Sequence, residues 1–114
     1  KAAGIAIYDA LHWREHGLFT IQEALEKLAA QVDAIHVDFD IDVVERGCMP
    51  GAPGARPGGV PPQEFFDATR LICAHAKVRS VDLTEFDPSL DVASISALTA
   101  ARWTCEVLAG FLQR

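Results

Sequence analysis

Apolar and polar positions alternate along this chain in two different periods, and the switches between them outline the elements. Gly4-Ile5-Ala6-Ile7-Tyr8 is a short apolar run that predicts a buried strand. Asp9 is placed to cap a brief helix running to His16, closed by Gly17. Thr20-Ile21-Gln22-Glu23 then has the form of a capping box, and Ile21, Leu25, Leu28 and Val32 follow at helical spacing. From Ala34 to Asp40 the period becomes two: odd positions are apolar, even ones polar, so His36, Asp38 and Asp40 share one face of a strand.

The second half repeats the alternation of types. Pro61-Pro62 open a helix where proline is tolerated, and Phe65, Ala68, Thr69, Ile72 and Ala76 form its apolar stripe. Lys77–Leu83 reads as another strand, ended by Thr84-Glu85-Phe86-Asp87-Pro88. A long helix starts at Asp91 or Ser94 and runs to about Leu112, its alanines at 93, 97, 100, 101 and 109 suited to close packing on a sheet. The order strand, helices, strand, helix, strand, helix predicts an α/β fold with a parallel sheet and helices on its faces. The 114 residues suit one domain or part of a larger one, and the only Met is Met49, so Lys1 reads as the start of a processed or excised chain.

Composition changes this picture at one place. Gly47, Pro50, Gly51, Pro53, Gly54, Pro57, Gly58, Gly59, Pro61 and Pro62 make ten of sixteen consecutive residues, so the rest of the chain is nearly free of breakers. Taken alone the cluster resembles a linker. Directly after Asp40-Ile41-Asp42, it reads instead as a long loop leaving an acidic strand end within one sheet.

Charge and cysteines narrow the function classes. Ten basic against sixteen acidic residues give a net charge of −6 with no basic stripe, which argues against nucleic acid or anionic lipid as partner. No apolar run is long enough to span a membrane. Cys48, Cys73 and Cys105 are odd in number without a Cys-x-x-Cys, so a reducing cytosol is expected, with Cys73 and Cys105 as small buried hydrophobes. Cys48 lacks the His and Asn/Asp pattern of a nucleophile.

The candidate chemistry is acidic. Asp33, Asp38, Asp40, Asp42 and Glu45 fall within thirteen residues that contain no Lys or Arg. Ligands of parallel α/β sheets collect at the carboxyl ends of strands, where Asp40 and Asp42, two residues apart, would project together toward a hard divalent cation such as Mn²⁺ or Mg²⁺. Asp82 and Glu85 would reach the same rim from the next strand. Asp38 lies one step deeper and suits a buried network, and His36 suits orienting a neighbour better than ligating a metal. His12-Trp13-Arg14-Glu15-His16 matches an inverted zinc-protease pattern, but two helical turns ended by Gly17 form a poor platform for it. His75 reads as a helix C-terminal cation, and Trp13 and Trp103 as packing residues.

His36-Val37-Asp38-Phe39-Asp40-Ile41-Asp42, the Gly/Pro loop with Gly58-Gly59, and Val81-Asp82-Leu83-Thr84-Glu85-Phe86-Asp87-Pro88 together resemble the C-terminal half of the ureohydrolases: arginase, agmatinase, guanidinobutyrase and formimidoylglutamase. The resemblance implies a segment of a three-layer α-β-α arginase-like sheet, in a homo-oligomeric full-length protein. It implies that Asp40 bridges two Mn²⁺ ions, that Asp42 binds one of them, and that Glu85 faces the cationic guanidino or formimino group of a small-molecule substrate. Asp82 would orient the metal-holding groups. The reaction implied is attack of a metal-bridging hydroxide on a C=N carbon, with cleavage of the C–N bond and loss of an amine. Two departures stand out: Glu45-Arg46 replaces the Asp-Pro common three residues after the second Asp, and Val60-Pro61 follows Gly-Gly in place of Thr. The Asp-x-His-x-Asp motif that completes the metal site in that family is absent, so this chain is expected to bind Mn²⁺ weakly and to show little activity alone. Two other classes fit a small acidic α/β chain: a phospho-acceptor receiver domain, and a non-catalytic assembly module of the same fold.

Overall fold

A computed structural model describes residues 4–114; Lys1–Ala3 lie outside the described residues. The elements in chain order are α1 (Ala10–His16), α2 (Leu18–Ala29), β1 (Ile35–Asp40), α3 (Pro62–Ala74), β2 (Val78–Thr84) and α4 (Ile95–Phe111). Short 3₁₀ turns stand at Ile41–Val43, Arg46–Cys48 and Pro88–Leu90. β1 and β2 pair in parallel across the α3 crossover, so the β-α-β unit predicted from the periods is present. Asp38 lies opposite Asp82, Phe39 opposite Leu83 and Asp40 opposite Thr84.

The period-two reading of β1 holds residue by residue: Ile35 and Phe39 are buried, Val37 is half-buried, and His36, Asp38 and Asp40 are exposed. The apolar face carries α3 and α4. Phe39 meets Phe65 of α3 and Trp103 of α4 edge-to-face, with ring centroids 6.1 and 5.3 Å apart. α4 turns Ser96, Trp103, Glu106, Val107 and Gly110 inward. Lys77 donates through Nζ to Ala29 O (2.6 Å) and Val32 O (2.9 Å), placing a cation on the last carbonyl of α2 and on the turn just beyond it.

Several expectations are corrected. Gly4–Tyr8 is not a strand: it has no ladder partner among the described residues, and Ile5 and Ile7 are 73% and 85% exposed. An extended run becomes a strand only when a neighbour takes its backbone hydrogen bonds. Asp9 does cap α1, accepting the His12 N–H at 2.9 Å, and Gly17 closes it. The Thr20 capping box is not used, because α2 starts at Leu18 directly after Gly17 (φ +56) and Thr20 is buried inside the first turn. α3 ends at Ala74, which leaves Ala76 exposed outside it and puts Cys73 on the inner stripe. Ala93 precedes α4 and is exposed, and on α4 the alanines at 97 and 101 face outward, since the inner face packs mainly on α3 and reaches β1 through Trp103. Cys73 is buried, with its thiol pushed up to about 11 by that burial, but Cys105 is exposed. His75 is the C-terminal cap of α3 and its Nδ1 accepts the Lys77 N–H at 3.2 Å.

The Gly/Pro segment belongs to the core. Ile41, Val44, Met49 and Ala52 are 0% exposed and Ala55 is 1% exposed, in a stretch with no helix beyond single 3₁₀ turns. Burial of each larger side chain there is worth about 1.5–3 kcal/mol, enough to hold a loop that has few ladder bonds.

Candidate active site

Parallel pairing brings the carboxyl ends of β1 and β2 to one rim. Asp40 ends β1 opposite Thr84, so Glu85 leaves β2 one residue beyond the level of Asp40. The strand period stops at Asp40, whose Oδ1 accepts the Asp42 N–H at 2.9 Å and starts a 3₁₀ turn. Asp42 therefore does not continue the face of Asp40. It is half-buried and turned into the loop, with Oδ1 accepting the Gly54 N–H at 2.8 Å. A Cβ at Gly54 would sit 1.9 Å from Asp42 Oδ2, so only glycine lets backbone come this close to the carboxylate.

The loop is pinned by the two residues that depart from the ureohydrolase pattern. Glu45 Oε2 accepts the N–H groups of Gly58 (2.7 Å) and Gly59 (3.1 Å). Arg46 Nη1 donates to the carbonyls of Ala52 (3.0 Å), Pro53 and Ala55 (3.4 Å each). An isolated parallel bridge between Val44 and Val60 closes its base. With charged groups on its backbone donors and acceptors, the loop is fixed without regular structure.

Glu85 is exposed and held at φ +66, a left-handed conformation that costs a non-glycine residue about 1 kcal/mol or more. The chain after it is anchored. Asp87 donates its N–H to Gly51 O at 2.8 Å, and its carboxylate accepts the Ser89 Oγ–H (2.6 Å) and N–H (2.8 Å), which hold it below the usual carboxylate range.

The remaining predicted residues form a ladder across the polar face. His36 Nδ1 is 2.8 Å from Ser80 Oγ, its Nε2 is 3.5 Å from Asp82, and Thr84 donates to Asp38 at 2.9 Å. The opposed Asp38 and Asp82 are thus each engaged with a different partner. Among the described residues, the polar contacts of His36 and Asp82 are with each other and with Ser80, not with Asp40 or Asp42.

Asp40 and Asp42 offer two hard oxygen donors, the chemistry that suits Mn²⁺ or Mg²⁺. The donor set is partial: among the described residues no group of three or more His, Cys, Asp or Glu is gathered closely enough to hold a metal ion. His12 and His16 stack at 4.3 Å on α1 without a third ligand, which leaves the zinc pattern unused. A groove of about 1050 Å³ runs beside Asp40, lined by Trp13, Val37, Phe39, Pro61, Glu64 and Phe65. Trp13 Nε1 donates to Glu64 at 2.9 Å, tying α1 to α3 across it.

The family model described as Arginase family matches residues 1–110. The chain belongs to the Arginase family. Formimidoylglutamase of Bacillus subtilis (strain 168) is 33% identical over 98 residues, which cover 85% of this chain and 31% of that protein. The crystal structure of formimidoylglutamase from Bacillus subtilis superposes with a TM-score of 0.90 at 30% identity, covering 95% of this chain and 34% of that one. Arginase from the same organism superposes at 0.83 with 26% identity, covering 94% and 37%. The chain spans about a third of the length of the curated relatives it matches. The α/β reading and the ureohydrolase resemblance therefore hold. The receiver alternative loses its support, and Lys77, the lysine it would need, is engaged with the end of α2. No helix among the described residues is long and apolar enough to cross a membrane.

Sequence reasoning missed Gly54, Glu45 and Arg46 as organisers of this Arginase-family site. The signal was available for Glu45, which stands where the family has its third acid and could have been read as a longer acid doing loop-holding work.

Proposed function

We propose that this chain is the C-terminal segment of a manganese-dependent Arginase-family hydrolase that cleaves the C–N bond of a guanidino or formimino compound. The observation that carries the reading is the shared rim: Asp40 with Asp42 at the end of β1, and Glu85, held in left-handed backbone, one residue past the end of β2. Asp40 and Asp42 would hold the cation through carboxylate oxygens, as two members of a larger donor set. Two Mn²⁺ ions supply, when bound, the activation of water for attack on a C=N carbon. Glu85 accepts hydrogen bonds from the planar cationic end of the substrate, where a carboxylate matches a donor fork. The Gly/Pro loop holds Asp42 and shields the rim.

Formimidoylglutamate is the first substrate to try, because the Bacillus subtilis relative at 33% identity and the structure that superposes at a TM-score of 0.90 both carry the name formimidoylglutamase; arginine, agmatine and guanidinobutyrate are the others. Three free thiols suit a cytoplasmic protein. The outward apolar residues Leu98 and Leu108 of α4 and Leu112 at its C-cap, 67%, 57% and 86% exposed, support a homo-oligomer or further packing partners.

The test is calorimetric Mn²⁺ titration of the full-length protein carrying this segment, wild type against Asp40→Asn. Loss of Mn²⁺ binding and of hydrolysis in the variant is expected. Equal binding by both would favour the assembly-module alternative. The 114-residue chain alone is expected to bind Mn²⁺ weakly and turn over none of the four substrates, and robust hydrolysis by it would sink the half-site reading.

A further inference from the structure

Four consecutive loop residues, Gly51-Ala52-Pro53-Gly54, touch both acidic limbs of the rim. Gly54 gives its N–H to Asp42. Gly51 gives its carbonyl to the N–H of Asp87, two residues after Glu85. Between them Ala52 and Pro53 present their carbonyls to Arg46. The run is a strut, and it has an outside post. Ser96, in the first turn of α4, is 0% exposed, and its Oγ accepts the Gly51 N–H at 2.7 Å.

The post is itself fixed. The Asp91 carboxylate accepts the N–H groups of Val92 (2.8 Å), Ser96 (2.9 Å) and Ala97 (3.0 Å), which closes the left-handed pair Ala93 and Ser94 into a rigid entry to α4. Burial works to raise the Asp91 carboxyl, but these amides and the Ser96 hydroxyl outweigh it and hold it below the usual range. Space is tight on the other side too: a Cβ at Gly51 would lie 3.0 Å from Phe86 Cε2, Ser96 Cβ and Ser96 Oγ. Gly51 is thus packed against the residue that follows Glu85 and hydrogen-bonded to the one after that.

We propose that Ser96, acting through Gly51, is a positioning residue that fixes Glu85 relative to Asp40 and Asp42, and so sets substrate binding without touching metal or substrate. This rests on the function proposed above. An acid that reads a planar cation must be held in both direction and distance, and a shift near 1 Å can cost about 100-fold in rate. The exposed Glu85 side chain makes no polar contact of its own among the described residues, so its placement falls to the backbone tie at Asp87.

The test uses the full-length Mn²⁺-loaded protein with Ser96→Ala and Gly51→Ala, assayed on arginine, agmatine, guanidinobutyrate and formimidoylglutamate, with Glu85→Gln as reference. Both variants are expected to lose about 10- to 100-fold in kcat/KM, mainly through KM, while Mn²⁺ affinity by calorimetry stays within about twofold. Hydrogen exchange on the full-length protein should show lost protection at the Gly51 and Asp87 amides in Ser96→Ala. An unchanged KM in both variants overturns the proposal, as does a fall in Mn²⁺ affinity that parallels the activity loss, which would mark a general structural role. Failure of the function reading shows elsewhere, in a wild type inactive on all four substrates or an unaffected Glu85→Gln, and it takes this proposal with it.

Discussion

Residues 4–16 and residues 41–61 invert the usual relation between regular structure and burial. The first region contains a capped helix, α1, yet not one residue of that helix is buried. The second has only two 3₁₀ turns, yet it holds Ile41, Val44 and Met49, three of the largest fully buried side chains. A helix can be drawn by local hydrogen bonds and a cap; a core is drawn by what packs over it. The loop was rich enough in Gly and Pro to pass for a linker, but its apolar residues fill the space beside β1 and its backbone is held by Glu45, Arg46 and Ser96. It carries the geometry of the rim. The helix only ties across the groove.

The comparison can be broken at Met49. Met49→Ala should cost about 2–5 kcal/mol in denaturant unfolding, as for a fully buried side chain, whereas Leu11→Ala in α1, at 61% exposure, should stay within about 0.5 kcal/mol. Equal losses would mean that the loop is no more a part of the core than α1. A finer cut is Gly54→Ala, which forces a methyl against the Asp42 carboxylate. Mn²⁺ affinity in the full-length protein should fall about 10- to 100-fold with a stability cost of about 1–3 kcal/mol. Normal affinity would show that Asp42 does not need its present orientation.

The smallest effect lies away from the rim, at the contact between α3 and α4. Glu106 is 3% exposed and paired with Arg70 (2.5 Å) and Arg102 (2.6 Å). Burial works to raise its carboxyl, but the two guanidiniums outweigh it and hold it below the ordinary value of 4.5. A depressed carboxyl adds stability above its unfolded value and loses it as pH falls through the folded one. Glu106→Gln should therefore lower Tm by a few degrees at pH 7, and the gap to wild type should close on acidification below about 4.5. A gap that persists into strong acid would assign the effect to packing instead of charge.

How much of this was legible depends on how far apart the interacting residues are. Period two over Ala34–Asp40 placed His36, Asp38 and Asp40 on the exposed face, because strand alternation is a property of neighbours. Asp9 as a cap and Pro62 at a helix start were legible for the same reason. Glu85 and Asp40 could be guessed to share a rim from parallel topology. The turn of Asp42 toward Gly54, twelve residues on, could not, and neither could the hold of Ser96 on Gly51, forty-five residues away.

The sequence by itself determined the element types, the acidic strand ends and the family, since periodicity, capping and motif spacing are written in adjacent positions. Only the tertiary structure decided that Gly4–Tyr8 is no strand, that the Gly/Pro loop is core, and that α4 packs mainly on α3, touching β1 through Trp103. Those outcomes depend on which distant groups satisfy a backbone hydrogen bond or exclude water from a side chain. No local pattern encodes that choice.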